Sequence, residues 1–368
     1  MSASLPQRPI PYSPSLEQPA ADEAQTIAEL VETLRSISER TYEDTGHALR
    51  SVHAKSHGLL QGELKVIEPL PPELRQGLFA ESRSYPVVMR LSTNPGDILP
   101  DSVSVPRGLA LKVVGVAGAR LPGSEDATTQ DFVLVNAPAF SAPDAKTFLK
   151  SLKLLAGTTD RGTNAKKLLS AALRGAEKAL EALGGESATL KFVGGHPETH
   201  PLGETFYSQA PMRYGDYVAK IAVAPSAAAL TRLEDAPLNV NGRPNGLREA
   251  IVEYFARQAG EWELRVQLLT NADSMPIEDA SKRWAENESP YRTVARITVP
   301  PQSAWSDARA AAIDDGMAFS PWHGLAAHQP LGSVMRARRA SYEASAAFRG
   351  HRNGCPMHEP TTLGALPD

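Results

Sequence analysis

The chain has 368 residues, with 38 Lys+Arg against 42 Asp+Glu and a net charge of −4. That balance lacks the clustered positive excess that general binding to nucleic acid or an anionic membrane requires. The length allows one large domain or two ordinary ones, and a substantial core. Cys355 is the sole cysteine, which excludes an intrachain disulfide framework and any Cys-rich zinc or iron–sulfur site. The apolar stretch 113–119 stops at Arg120, far short of the ~20 residues of a spanning helix. The first residues hold no continuous apolar run of the secretory kind. A cytoplasmic protein without stable membrane anchoring is expected.

In chain order, residues 1–20 carry Pro6, Pro9, Pro11, Pro14 and Pro19 and read as an extended arm. Ile27, Leu30, Val31, Leu34 and Ile37 then recur at helical spacing. From about residue 58 the period changes. Segments 58–68, 85–93, 107–116 and 129–136 are short, β-rich and punctuated by Pro, Gly and Asp, which predicts four strands. Helices are predicted near 146–155 and 164–183. A second strand set follows at 203–210, 217–224, 261–270 and 291–299, with short helices near 230 and 249–258. After Pro300-Pro301, helices are predicted over 303–314 and 332–349. This is an α+β order in which two four-strand groups close one antiparallel barrel. The expected organisation is an arm (1–20), a single domain (21–350) and a flexible tail (351–368).

Two histidine pairs, His53/His57 and His196/His200, have i, i+4 spacing, which on a helix presents two metal ligands. Neither matches H-E-x-x-H, and Pro197 argues against a helix at the second. Tyr342 and Arg338 are four apart on a predicted helix and share one face.

The segment Arg50-Ser-Val-His53-Ala-Lys55, followed by Gly58 and Gly62, resembles the distal segment of haem catalases. Further ordered matches follow. Arg90-Leu-Ser92-Thr93 is similar to that family's Arg-Phe-Ser-Thr strand, and Pro106-Arg-Gly-Leu-Ala-Leu-Lys112 to its Pro-Arg-Gly-Phe-Ala-Val-Lys. Asp131–Pro138, Phe140 and Phe148 fall on the next segment. Arg338-Arg-Ala-Ser-Tyr342, with Arg349 seven residues on, resembles the proximal helix. The resemblance spans roughly 45–350 and is patchy between 150 and 300.

It implies a catalase-like antiparallel eight-stranded β-barrel with flanking helices, and heme b bound through Tyr342 as the metal ligand. Arg338 would lower the Tyr342 pKa. His53 would be the acid–base group, oriented by Ser92. Arg50, Arg90 and Arg349 would clamp the propionates, with Val52, Phe140 and Phe148 packing the cofactor. One position departs from the family: in ungapped register, its distal asparagine falls on Val135, while Asn136 meets the neighbouring asparagine. A one-residue offset on a strand turns the side chain to the other face, and only a bulge would recruit Asn136.

The chain is also shorter than ordinary catalases. The reading implied is the small catalase-related peroxidase branch. Such a protein would act on peroxide with an unknown electron donor and retain weak catalase activity; a homo-oligomer stays open. The alternatives are a true catalase, a fatty-acid hydroperoxide-rearranging enzyme and a non-catalytic haem carrier. Cys355 lies in a tail motif of weak content.

Overall fold

The computed structural model of the chain describes residues 8–156, 198–355 and 357–368. The helix expected over 164–183 and His196 lie outside the described residues.

Among the described residues, nine antiparallel strands form one sheet. They are β1 (Ser56–Val66), β2 (Ser84–Thr93), β3 (Arg107–Val114), β4 (Thr129–Val135), β5 (Phe206–Tyr207), β6 (Met212–Tyr214), β7 (Tyr217–Pro225), β8 (Gly260–Leu268) and β9 (Arg292–Val299). The order is β5-β4-β3-β2-β1-β9-β8-β7-β6, and β5 also pairs with β7. That pairing closes eight strands into a barrel and leaves β6 as a hairpin on β7. Closure removes the exposed edges that an open sheet would carry. Inward positions alternate along each strand: Leu60 and Leu64, Met89 and Leu91, Leu109 and Leu111, Phe132 and Leu134, Leu264 and Val266 all belong to one buried cluster.

The predicted strands coincide with β1–β4 and β7–β9 within a few residues. The segment 203–210 supplies only β5, two residues long, because Ser208 and Ala210 turn back on each other (Ala210 N–H to Ser208 O, 2.7 Å).

Helix α1 (Glu23–Thr45) outruns its apolar stripe. Past Ile37 its hydroxyl groups bond their own helix: buried Thr41 Oγ1 donates to Ile37 O (3.0 Å) and exposed Thr45 Oγ1 to Thr41 O (2.7 Å). Gly46, at φ +71°, ends it with its N–H on Tyr42 O, a left-handed position that glycine adopts without a Cβ penalty. Leu30, Leu34 and Ile37 pack on α2 (Ala145–Ala156) through Leu149 and Leu152, and on Ala337. Two shorter helices follow, α3 (Ala228–Thr231) and α4 (Gly246–Phe255).

The helix expected over 303–314 is broken into α5 (Asp307–Ala310) and a wide π turn over Ala311–Asp315. A π turn swings its side chains out of helical register and commonly marks a functional position; here it redirects Asp314. Helix α6 (Ser333–Asn353) closes the outer layer.

Both ends of the described residues are tied down. In the arm, Ile10 N–H donates to Leu269 O (2.8 Å) and Tyr12 N–H to Asp216 O (2.7 Å). Residues 357–368, expected to be flexible, run over the outer face of β1–β3. Leu363 and Leu366 pack there, Gln61 Nε2 donates to Gly364 O (3.0 Å) and Arg309 Nε to Pro367 O (2.8 Å). Among the described residues no helix is long and apolar enough to cross a membrane.

Candidate active site

A cleft lies between the outer face of β2–β4 and the helices α1 and α6. It holds about 830 Å³ of unfilled space, counting its solvent-open part, within the range of roughly 300–1,000 Å³ that small-molecule and cofactor sites occupy. Strand pairing orders the outward residues of β2–β4 in rungs, and Ser92, Gly108, Arg90, Ala110 and Val133 of the first two line the cleft. Ser92, Gly108 and Val135 form one rung; Arg90, Ala110 and Val133 the next; Val88, Lys112 and Asp131 the third.

His53 stands over the first rung, in the loop between α1 and β1. Its backbone is at φ +55°, a strained setting for a non-glycine residue of the kind that clusters at functional sites. Its N–H on Asn94 O (2.7 Å) holds it there. Ring atom Nδ1 is 3.1 Å from Ser92 Oγ. The ring lies directly on Gly108, where a Cβ would come within 2.6 Å of both Nδ1 and Cε1; only the absent side chain admits it. Burial, then the charges of Arg90, Arg338 and Arg50, pull the His53 pKa down to about 3. The imidazole is therefore neutral at any ordinary pH.

An arginine corner adjoins the second rung. Arg90 Nε donates to Asp314 Oδ1 (2.6 Å), Arg50 Nη1 to the same oxygen (3.0 Å), and Arg349 Nη1 to Asp314 O (2.6 Å). Ser56 Oγ donates to Asp314 Oδ2 (2.6 Å). Burial opposes ionisation of Asp314, but Arg90 and Arg50 hold its pKa below the ordinary value. Burial and the neighbouring Arg90 charge lower the Arg349 pKa to about 10. Three guanidiniums meet one carboxylate in direct contact, and Asp315 attracts Arg50 and Arg349 without bonding them, so the corner keeps a positive excess. Arg349 Nε is buried without a partner. Such a corner favours an incoming anion, carboxylates above all.

The opposite wall is α6, with Tyr342, Ser345, Ala346 and Arg349 facing the cleft. The Tyr342 hydroxyl makes no hydrogen bond among the described residues. Arg338 shares its helix face one turn away but does not bond to it. Its guanidinium rests 5.7 Å over the Phe140 ring, with Nη1 3.5 Å from Met335 Sδ. Val52 lines the cleft. Phe140 and Phe148 pack on each other, ring centroids 5.0 Å apart, behind the lining.

The structure thus brings together His53, Ser92, Arg50, Val52, Arg90, Tyr342 and Arg349 in one cleft. It does not bring Asn136. The β3–β4 register runs without a bulge from Val114↔Thr129 to Gly108↔Val135, so Asn136 turns away. Its Nδ2 donates to Glu204 Oε2 (2.7 Å), and its Oδ1 accepts from the Arg107 N–H (2.9 Å).

His57 lies within β1 and bonds Thr93 Oγ1 (3.1 Å). It therefore forms no helical pair with His53. His200 accepts from the Leu202 N–H (3.3 Å) and caps a short turn. Cys355 does not line the cleft. Sequence reading missed Asp314, which ties the arginine corner together, and His323, which lines the cleft; their chain signals, an Asp-Asp pair and a lone Trp-His, carry no pattern.

The donor set fits a haem. A phenol and a neutral imidazole face the cleft from opposite walls, and a cationic corner matches paired propionates.

No family model matches the chain, and no curated protein matches it. Solved structures do. A fungal catalase superposes with a TM-score of 0.58 at 15% identity, covering 90% of this chain and 70% of that one. A bacterial catalase gives 0.55 at 16%, covering 93% and 63%. Catalase A from Saccharomyces cerevisiae gives 0.59 at 14%, covering 100% and 78%. At these identities the likeness establishes the fold, which is that of the catalases.

Gly108→Ala tests the His53 cradle. The added methyl should force the ring off the Ser92 contact and slow any His53-dependent proton transfer by about 10²–10⁴, the usual worth of such a group, with little change in thermal unfolding. An unchanged rate would place the working base elsewhere.

Proposed function

We propose that this chain is a haem-dependent peroxidase that reduces hydrogen peroxide or organic hydroperoxides at the expense of an external electron donor, with weak catalase activity. One observation carries the reading. His53 and Tyr342 face a single cleft from opposite walls, beside the Arg50/Arg90/Arg349 corner. The enzyme reading is favoured over a haem carrier because a carrier needs neither a held neutral imidazole nor a facing phenol.

Bound haem would supply the iron that accepts the peroxide oxygen and cycles its oxidation state. Tyr342 would ligate it, as a phenolate. The phenol's free pKa is about 10, so ionisation leans on the metal and on nearby cations, of which Arg338 lies one helical turn before Tyr342. Arg50, Arg90 and Arg349 would take the propionates, with Asp314 sharing the corner. With Nδ1–H donated to Ser92 Oγ, the His53 Nε2 lone pair is free to take a proton from one peroxide oxygen and return it to the other. Because His53 stays neutral, this base is ready without prior deprotonation.

Peroxidase is favoured over catalase by the first rung. Oxygen release requires a second peroxide held so that both its hydrogens leave. Val135 shares the rung with Gly108 and Ser92 and can donate nothing. The amide of Asn136 is engaged with Glu204 and Arg107. A cytoplasmic setting belongs to the same proposal.

Tyr342→Phe removes the proposed ligand; haem content of the purified protein should fall at least about tenfold, and a variant that keeps full haem with an unaltered spectrum would refute the assignment. The pH profile tests His53. With its pKa near 3, the rate of peroxide consumption should stay flat as pH falls from 8 to 5. A loss with a midpoint near 6.5 would show that His53 titrates normally or is not the base. Val135→Asn returns a donor to the first rung and should raise oxygen evolution relative to donor oxidation. Full catalase turnover by the wild type would contradict the peroxidase reading.

A further inference from the structure

His53 sits at φ +55°, a conformation that persists only where the surroundings over-determine it. The peptides on either side of it are held as closely as the ring. The His53 N–H donates to Asn94 O (2.7 Å) and the Ala54 N–H to Pro95 O (3.1 Å). Ala54 O accepts from Arg90 Nη2 (3.2 Å), and Lys55 O from the Thr93 N–H (3.2 Å). Gly96 lies so close to Ser51 that a Cβ there would come within 2.4 Å of Ser51 O. Asn94, Pro95 and Gly96 open the loop between β2 and β3. The His53 backbone is therefore held only as firmly as that loop.

A buried ion pair fastens the loop. Lys55 and Asp101 have side chains 3% and 1% exposed, and neither lines the cleft. Lys55 Nζ has three donors, and each meets an oxygen: Asp101 Oδ1 (2.6 Å), Leu99 O (2.9 Å) and Pro244 O (2.6 Å). The Asp101 carboxylate works in two directions. Oδ1 takes Lys55, and Oδ2 accepts the Leu247 N–H (2.8 Å) in the first turn of α4. The Asp101 N–H donates to Pro244 O (3.1 Å). Helix α4 in turn rests on β1, where a Cβ on Gly58 would come within 3.0 Å of Ile251 Cγ2. One pair thus joins the β2–β3 loop, the segment that carries His53 and the start of α4.

Burial pulls the Lys55 pKa down and the Asp101 pKa up, each opposed by the other's charge. The other charges near Lys55 are Arg248 and Glu249. Desolvation offsets much of the attraction in such a pair, and apolar side chains of similar volume are often no less stabilising. What apolar side chains do not supply is direction. Here a cation with three donors sets two carbonyls and a carboxylate about one point, and that carboxylate fixes a helix N–H.

We propose that Lys55 and Asp101 are positioning residues for His53: their ion pair anchors the β2–β3 loop, and the loop holds the His53 backbone where the ring rests over Gly108 and against Ser92. The proposal rests on the reading of His53 as the proton-transfer group. It involves no part of the space assigned to the cofactor.

The test uses the full-length protein with Lys55→Met and Asp101→Leu combined, which exchanges the pair for apolar side chains of similar volume. The double variant should unfold close to the wild-type temperature, so a change in its chemistry is not a loss of fold. Its crystal structure should show His53 out of the left-handed region and Nδ1 beyond hydrogen-bond distance of Ser92 Oγ. Peroxide consumption should fall about a hundredfold, the scale of cost when a catalytic group is misplaced. The pH profile, expected flat in the wild type because the His53 pKa lies at about 3, should gain an acid limb near about 6.5. A ring off its cradle regains water and titrates in its ordinary range; a merely structural pair would leave the profile flat. An unmoved ring in the double variant overturns the proposal. A displaced ring with wild-type turnover upholds the anchoring and overturns instead the reading of His53 as the base. Should the double variant not fold, Asp101→Asn decides. Its amide keeps one acceptor oxygen, so Lys55 or Leu247 loses its bond. The same displacement and acid limb are expected, and a ring still on Ser92 overturns the proposal.

Discussion

Arg50, Arg90 and Arg349 come from three remote stretches of the chain, and like charges do not gather in a half-dry cleft unless something opposite holds them. Asp314 does. Its carboxylate and backbone carbonyl join the loop before β1, the middle of β2 and the end of α6 to the π turn after α5. Removing one partner of such a buried group leaves uncompensated charge, the costly case for buried ions. The same contact sets the walls of the cleft at a fixed distance from the barrel and leaves an excess of positive charge facing it.

The barrel matters to the site less as a container than as a ruler. Its interior is filled with aliphatic and aromatic side chains. The chemistry sits on its outside, where pairing register assigns each outward residue to a rung. Gly108 beneath His53, Ala110 beside Arg90 and Lys112 against Asp131 are successive outward positions of β3. A one-residue slip would exchange all of them for the inward Leu109 and Leu111. The two histidines of the cleft then take opposite protonation from the company their rungs keep: arginines around His53, carboxylates around His323. Pushing two like groups apart in pKa is a general way to obtain an acid and a base from one side-chain type.

Much of this was legible in the chain. β-branched alternation located the long strands, and two four-strand groups pointed to closure. The residues around His53, Arg90 and Tyr342 were found because their order resembles the catalases. The strand offset that sets Val135 in the rung and turns Asn136 away followed from the register of the resemblance combined with the two-residue strand period. What escaped was everything with no local pattern. α1 extends through hydroxyl residues that bond their own helix backbone. β5 is two residues long, yet it closes the barrel. The segment 357–368 looked featureless, and its contacts are scattered over Gln61, Lys112, Thr129 and Arg309.

Read along the chain, the residues marked most of the strand segments and the residue types suited to acid–base, ligand and anion-binding work. Those follow from periodicity and side-chain chemistry, which are properties of neighbours along the chain. Which charges would meet was settled by folding. Asp314 is 264 residues from Arg50 and 224 from Arg90, and Glu359 is 247 from Lys112. An ion pair has no sequence period. It is chosen by the folded path that leaves two opposite charges side by side with little water between them, and that path exists only once the barrel has closed.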